Sequence, residues 1–488
     1  MRHVTLRASI LPLLASMPLM ASVPLLASVI AAGPACAQPK TLQDALSAAY
    51  SNNPTLQTSR AQLRATDEGV PQALAGWRPT VIFAGSLGYG AGDITSNSNV
   101  ASLTGGQTDS RSVTNRNNRD LNTNQVTVTQ PLYRGGATRA GTNQADNRVF
   151  AQRGRLIATE QTVFTNVINA YVNVIQTQQV LQLNINNEQV LARQLQATND
   201  RFRVGEITRT DVAQAEAALA GARATRQTAE GNLQTARGTY RQFVGELPEQ
   251  LIEPQPLKLP VKNQAEAVQL ASQNNPNVIA ALFDDAASRD NIDVQFAALM
   301  PQLSIQAQGA RTDGQTIAGQ STNAATVVLN ASVPLYQGGA EYSRVRQARQ
   351  QQQQSRKTVD DVRRQAVQQA TQSWETLTSS RATIESTRAQ IRANQIALEG
   401  VQREAIVGSR TTLDVLNAEQ ALLNSRVTLV QNLAAFVNAS YSVAAAIGRL
   451  TAKDLSLKVP LYDETAYYNA VRQKLFGTGD YAVNQPGR

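Results

Sequence analysis

The chain has 488 residues and a formal net charge of +9, and its one His and one Cys both lie near the start, at His3 and Cys36. If residues 1–37 are a removed secretion signal, neither imidazole nor thiol remains. That excludes Ser-His-Asp and Cys-His nucleophile pairs, zinc sites of the usual type, disulfides and a histidine general base. Loss of Arg2 and Arg7 lowers the charge from +9 to +7, and with aromatics at 5% and bases scattered among acids, a nucleic-acid groove is not indicated.

The signal reading rests on Arg2, His3 and Arg7, the apolar stretch from Ala8 to Ala32, and the small-residue site Ala35-Cys36-Ala37 before Gln38. Pro12, Pro18 and Pro24 interrupt the apolar stretch and argue against a permanent membrane helix. An uncleaved anchor and a lipid on Cys36 are the other readings, and Gly33-Pro34-Ala35 is a poor match to the box expected before a lipidated Cys. No run of 18 apolar residues follows Gln38, so passage through a membrane requires strands.

The remainder reads as two copies of one pattern. Asn52-Asn53-Pro54 recurs as Asn274-Asn275-Pro276, and Pro131-Leu132-Tyr133-Arg134-Gly135-Gly136 as Pro334-Leu335-Tyr336-Gln337-Gly338-Gly339. Val204-Gly205 recurs as Val407-Gly408, and Asp211-Val212 as Asp414-Val415. The offset changes once, between Pro79 and Pro131, which places one longer loop in the first copy. The expected divisions are a signal (1–37), a first copy (38–247), a linker at the waist (248–262), a second copy (263–450) and a C-terminal tail (451–488).

In chain order, each copy begins with a short helix and then a strand pair. Val81, Phe83, Leu87 and Tyr89 alternate with small residues, and Val126 and Val128 alternate with polar ones. Leu303, Ile305 and Ala307, then Val327, Leu329, Ala331 and Val333, repeat the pattern. The spacing predicts strands of about ten residues, the length of a tilted membrane strand. Polar loops are expected from about Ala91 to Asn124 and from about Arg311 to Ala325.

Long helices follow, since no proline lies between Pro131 and Pro248 or between Pro334 and Pro460. Each proline-free stretch is cut once, at Val204-Gly205 or Val407-Gly408. The outgoing arm carries Val167, Val174, Leu181, Leu195 and Phe202 at heptad spacing, broken at Glu188. The returning arm carries Val212, Ala215, Leu219, Ala222, Ala229, Leu233, Ala236, Tyr240 and Phe243. Such seams specify antiparallel coiled-coil pairs. Four strands cannot close a barrel, so strands from several copies must be pooled; eight from two copies or twelve from three both satisfy the spacing.

The order helix, strand pair, PLYxGG, heptad arm, VGxxTxxDV turn and returning helix, given twice, resembles the TolC-like outer-membrane efflux proteins over roughly Thr41 to Leu450. The resemblance implies an α+β membrane protein. It would be a homotrimer with a twelve-stranded outer-membrane β-barrel, continued by a twelve-helix periplasmic α-barrel closed at its far end. It also implies a Gram-negative outer-membrane location, no cofactor or metal, and a passive exit duct rather than an enzyme. The implied partners are outer-membrane lipid, a periplasmic adaptor protein and an inner-membrane ABC or RND-type transporter. Type I protein secretion is the favoured cargo route. Multidrug or small-molecule efflux is the alternative, and a periplasmic coiled-coil adaptor or scaffold is the competing class.

Thr208-Arg209-Thr210-Asp211 and Thr411-Thr412-Leu413-Asp414 both fit a capping box, with Gly205 and Gly408 supplying a positive φ just before them. By resemblance, Asp414 lies at the pore constriction, and Asn417 stands where many relatives have a second Asp. Arg410 matches the family's gate Arg, which would latch to the turn holding Thr210 and Asp211. A Tyr that assists in the best-known relative is Ala405 here. Val204, Gly205, Val407 and Gly408 form the periplasmic turns where an adaptor would dock. Tyr133 and Tyr336 are candidates for an interfacial aromatic belt, with Trp77 and Tyr89 in support.

Overall fold

The computed structural model describes residues 41–101, 108–315 and 319–482. The expected signal, with His3 and Cys36, lies outside the described residues, as do the tips of the two strand hairpins. Helix α1 (Leu42–Asn52) starts on a capping box of Thr41 and Asp44, and α2 (Pro54–Asp67) starts on Asn53 with Pro54 at the first turn. A short α3 (Gly69–Leu74) and the 3₁₀ turn Ala75–Trp77 lead to β1 (Thr80–Ala101) and β2 (Thr108–Arg134). Helix α4 (Ala137–Arg203) and α5 (Arg209–Val244) complete the first series.

The same order recurs as α6 (Gln264–Asn274), α7 (Pro276–Phe296), the 3₁₀ turn Ala297–Leu299, β3 (Gln302–Asp313), β4 (Ser321–Ser332), α8 (Ala340–Ile406) and α9 (Thr412–Ala446). A short α10 (Ala466–Val471) lies in the tail. Among the described residues no helix is long and apolar enough to cross a membrane.

Helices α4 and α8 each have 67 residues, a span of about 100 Å at 1.5 Å per residue. Seam residues of α5 from Val212 through Tyr240 are buried against α4, as Val415, Leu422 and Val443 of α9 are buried against neighbouring helices. Polar members set the register of the second pair. Asn394 of α8 donates to Ser425 Oγ at 2.6 Å, and Asn432 of α9 donates to Thr387 Oγ1 at 3.0 Å. Glu188, the heptad break, faces Arg226 of α5, with its carboxylate 2.9 Å from Nε.

The four strands form one antiparallel sheet in chain order. The register aligns Val81, Val128, Ala307 and Val327 in one row across all four strands. The adjacent row reads Thr80, Thr129, Gln306 and Val328, so apolar side chains collect on one face and polar ones dominate the other.

The first hairpin differs from expectation. Much of the segment expected as a loop from Ala91 to Asn124 is strand: β1 has 22 residues and β2 has 27. Beyond Tyr89 the sequence of the ribbon is mostly Gly, Ser, Thr, Asn, Asp and Arg, so hydrophobic alternation cannot mark it. The backbone ladder holds it, with cross-strand support from Thr95 and Thr114 at 2.9 Å and from Arg116 and Asp93 at 3.6 Å. The second loop is likewise shorter than Arg311 to Ala325, because β3 reaches Asp313 and β4 starts at Ser321. The two PLYxGG segments also diverge: Tyr133 lies in β2 after a register shift at Pro131, while Val333 and Tyr336 lie past the end of β4.

The main core gathers α1, α2, α4, α5, α9, the segment 245–263 and the tail, around Leu46, Leu56, Leu63, Phe164, Tyr171, Tyr240 and Leu450. Segment 245–263 has no helix or strand and is held by its backbone. Tyr171 donates to Ile252 O at 2.7 Å, and Leu257 N donates to Ser440 Oγ at 3.0 Å. Arg60 is fully buried, donates to Tyr50 O at 3.1 Å and stacks between the rings of Tyr50 and Tyr462.

Candidate functional site: the helix turns

Both long arms end in the same way. Gly205 N donates to Phe202 O and Glu206 N to Arg201 O, at 2.9 and 3.0 Å, and Gly408 and Ser409 repeat the pair on Ala405 and Glu404 at 3.3 and 3.0 Å. This is a Schellman closure, in which the residue after the cap must be left-handed. Gly205 and Gly408 have φ of +79° and +80°, as the residue type requires.

The chain then turns into a new helix through a reciprocal cap. Asp211 N donates to Thr208 Oγ1 at 3.3 Å and Thr208 N donates to Asp211 Oδ2 at 3.0 Å; the corresponding distances for Asp414 and Thr411 are 3.2 and 3.0 Å. Two donors at each helix start are thereby satisfied. The bonds from Thr411, with Arg410 nearby, hold the Asp414 carboxyl below its usual range, so it is ionised near neutral pH. Asn417 is exposed one turn further along α9, and Thr210 is exposed in the first turn of α5.

Arg410 is not brought to Asp211. Its Nε lies 2.9 Å from Glu404 Oε2, and this bond raises the guanidinium pKa. The first turn holds a similar local pair, Arg201 and Glu206 at 2.6 Å, which lowers the Glu206 carboxyl. Neither acid recurs at the corresponding position of the other copy, since each turn draws its acid from a different position.

Apolar side chains crown both turns: Val204, Ile406 and Val407 are each 78% exposed. Just above, Leu416 of α9 joins Leu191 of α4 and Leu219 and Ala222 of α5 in a small buried cluster, so the two hairpins touch here through apolar groups. A cavity of about 270 Å³ beside the cluster is lined by Asn184, Gly221, Leu416 and Glu419. Burial raises the Glu419 carboxyl, which accepts from Gln402 Nε2 at 3.1 Å. The clasp leaves no mark in the heptad pattern, since Leu416 lies beside the Val415 seam.

At the opposite end of the long arms, Tyr133 and Tyr336 are exposed at the base of the sheet, together with Trp77. Among the described residues no group of three or more acidic, His or Cys side chains is placed to hold a metal ion.

The whole arrangement is that of an outer-membrane duct: a sheet with one apolar face, continued by paired helices about 100 Å long whose turns lie farthest from it. The family model "Outer membrane efflux protein" matches residues 45–246 and again 267–449. The outer membrane efflux protein BepC of Brucella suis is 34% identical over 441 residues, covering 90% of this chain and 92% of its own length. The outer membrane protein TolC of Escherichia coli is 25% identical over 442 residues, covering 86% and 84%. Among solved structures, CusC superposes with a TM-score of 0.71 at 17% identity over 83% of this chain and 91% of its own. VceC of Vibrio cholerae superposes with a TM-score of 0.69 at 20% identity over 83% and 96%.

The chain belongs to the outer membrane efflux protein family. It is an efflux or secretion duct of the Gram-negative outer membrane that extends into the periplasm.

Proposed function

We propose that three copies assemble into the working duct, and that an inner-membrane ABC or RND-type transporter loads it through a periplasmic adaptor. The observation that carries this is the open sheet. Strands β1 and β4 are its edges, and an unpaired edge in lipid leaves backbone groups unsatisfied at several kcal/mol each. Three copies give twelve strands and close the ring; the family's fold favours three over two. A periplasmic scaffold of coiled coils would not need a sheet with an apolar row across all four strands.

In this reading Asp414 sits at the constriction, where three carboxylates attract cations, with Asn417 adding no charge one turn further along α9. Arg410, Thr210 and Asp211 act as a gate latch between neighbouring hairpins, and the exposed Val204 and Val407 offer apolar surface to the adaptor. Tyr133 and Tyr336 stand at the lipid interface. The divisions at 38–247, 248–262, 263–450 and 451–488 are the functional parts, the linker and tail girding the waist.

Protein cargo is the reading we favour, because the polar sheet face of Thr, Gln and Asn binds no solute class strongly. Relatives named for either route occur at similar identity. The proteases secretion protein PrtF of Dickeya chrysanthemi is 24% identical, and the cobalt-zinc-cadmium resistance protein CzcC of Cupriavidus metallidurans is 23% identical. Crosslinking in cells followed by purification tests the proposal. A trimer retained with an adaptor and an ABC transporter is expected. Recovery with an RND-type transporter moves the cargo to small molecules, and a soluble monomer removes the duct.

A further inference from the structure

The tail after α9 climbs the outside of the molecule by a series of side-chain holds. Tyr462 N donates to Tyr50 Oη of α1 at 3.0 Å. Tyr467 Oη donates to Glu68 Oε1, just past α2, at 2.9 Å, and Tyr468 Oη donates to Asp146 of α4 at 2.8 Å. Arg78 Nη1 then donates to Lys474 O at 2.7 Å. Arg78 lies two residues before β1 begins at Thr80, so the tail has risen from the level of α1 to the base of the sheet. Along α2 and α3 that ascent is on the order of 30 Å.

What the tail delivers there is apolar. Leu475 and Phe476 follow the Lys474 hold and are 71% and 86% exposed, and Gly477, with φ of +107°, turns the chain just after them. Trp77, itself half exposed, belongs to the same end of β1. Basic residues adjoin the pair in the chain and at its hold: Lys474 precedes it with its ammonium 3.6 Å from the Tyr481 ring, Arg78 grips the Lys474 carbonyl, and Arg472, two residues earlier, pairs with Asp146 at 3.7 Å. A bend presenting Leu and Phe, flanked by bases and placed beside a lipid-facing sheet, has the composition of an interfacial membrane contact.

We propose that the C-terminal tail seats the duct in the membrane: Leu475 and Phe476 enter the periplasmic leaflet of the outer membrane while the neighbouring bases meet lipid phosphates. The hold of Arg78 on Lys474 fixes their height relative to β1. This rests on the sheet standing in the outer membrane.

The chain after residue 37 has no Cys, so a single one can be placed and labelled. Phe476→Cys carrying an NBD group would be reconstituted, as the full trimer, in nanodiscs of phosphatidylethanolamine and phosphatidylglycerol. Lipids spin-labelled near the headgroup are expected to quench the probe by about twofold, while iodide reaches it poorly. Gln250→Cys, on the exposed waist, should show the reverse. Equal iodide access at both positions overturns the proposal. So does protection at 476 that persists without lipid quenching and yields crosslinks between copies, which assigns the pair to a second chain. Phe83→Cys, on the apolar sheet face, separates the two readings. Lipid quenching at 83 but not at 476 rejects the tail alone, and loss at both rejects the barrel placement.

Discussion

Arg410 and Glu404 are joined within one turn, Nε to Oε2 at 2.9 Å, so the residue assigned to the gate already has a partner on its own hairpin. A latch to Asp211 of the first hairpin must compete with that pair, and Asp211 is itself engaged with Thr208. Both partners of the existing pair are half exposed, and solvent screens it. Arg410→Ser and Asp211→Ala are each expected to raise the ion conductance of the purified trimer in a planar bilayer, by about two- to fivefold. Unchanged conductance in both variants removes the latch.

The apolar clasp predicts a separate effect. Leu416 is buried between Leu191, Leu219 and Ala222, and truncating such a leucine costs about 2 kcal/mol or more. Leu416→Ala should free the second hairpin from the first, increasing conductance and speeding tryptic cleavage near Arg201 and Arg410. Because the clasp and the ion pair share no atoms, Leu416→Ala and Arg410→Ser should combine additively. A Leu416→Met variant, which conserves volume, should behave as the parent.

The cap that Asp414 forms and the constriction charge proposed for it can be separated by substitution. Asp414→Asn removes the charge and keeps an oxygen for the Thr411 cap, whereas Asp414→Ala removes both. The Asn variant should lower cation selectivity, measured as reversal potential in a salt gradient, with a smaller loss of thermal stability than the Ala variant. The Ala variant should lower both. Since Thr411 holds the carboxyl below its usual range, selectivity should persist as pH falls to about 5 and fade only below the ordinary carboxylate value. The cap's stabilisation has the same sign, present above that value and lost as pH falls through the folded one.

The seat of the tail is pH-dependent in the opposite direction. Asp67 is buried on α2, neither carboxyl oxygen accepts a hydrogen bond, and burial raises its pKa to about 7, against the pull of Arg153. Glu160, which accepts from Ala452 N at 2.6 Å, is also raised to about 7 by burial. A carboxyl raised on folding destabilises the folded form once ionised, so stability declines as pH climbs from about 4 to 7 and then levels off. Asp67→Asn should therefore raise the melting temperature relative to the parent more at pH 8 than at pH 5. An equal shift at both values would contradict the assignment.

The long arms were fully legible in the sequence. The expected outgoing arm coincides with α4, because Gly136 and Gly205 punctuate a proline-free run whose heptad seam breaks once, at Glu188. The caps at Thr208 and Thr411 were legible for the same reason, a fixed local spacing. The outer ribbon was not, since hydrophobic periodicity reports burial and residues such as Asn97 and Asn115 have water on both sides. Glu188 could be seen as a break in the seam but not as a partner for Arg226, which lies 38 positions away on the returning arm. The two acids at the turns, Glu206 and Glu404, escaped because a copy-to-copy comparison finds only what both copies keep.

The unequal hairpins have a topological consequence. Strand β2 pairs with β3 only from Asn122 onward, so from Thr108 to Leu121 it is supported by β1 alone. That free length projects on the order of 45 Å past the point where all four strands run together. The other ends of the strands join the periplasmic helices, so the ribbon points away from the cell. Any antibody or reagent arriving from the medium meets this Ser, Thr and Asn fringe before it reaches the rim. A cysteine at an exposed fringe position, such as Asn115→Cys, would report the chain's orientation in living cells by labelling alone, independently of whether the duct conducts.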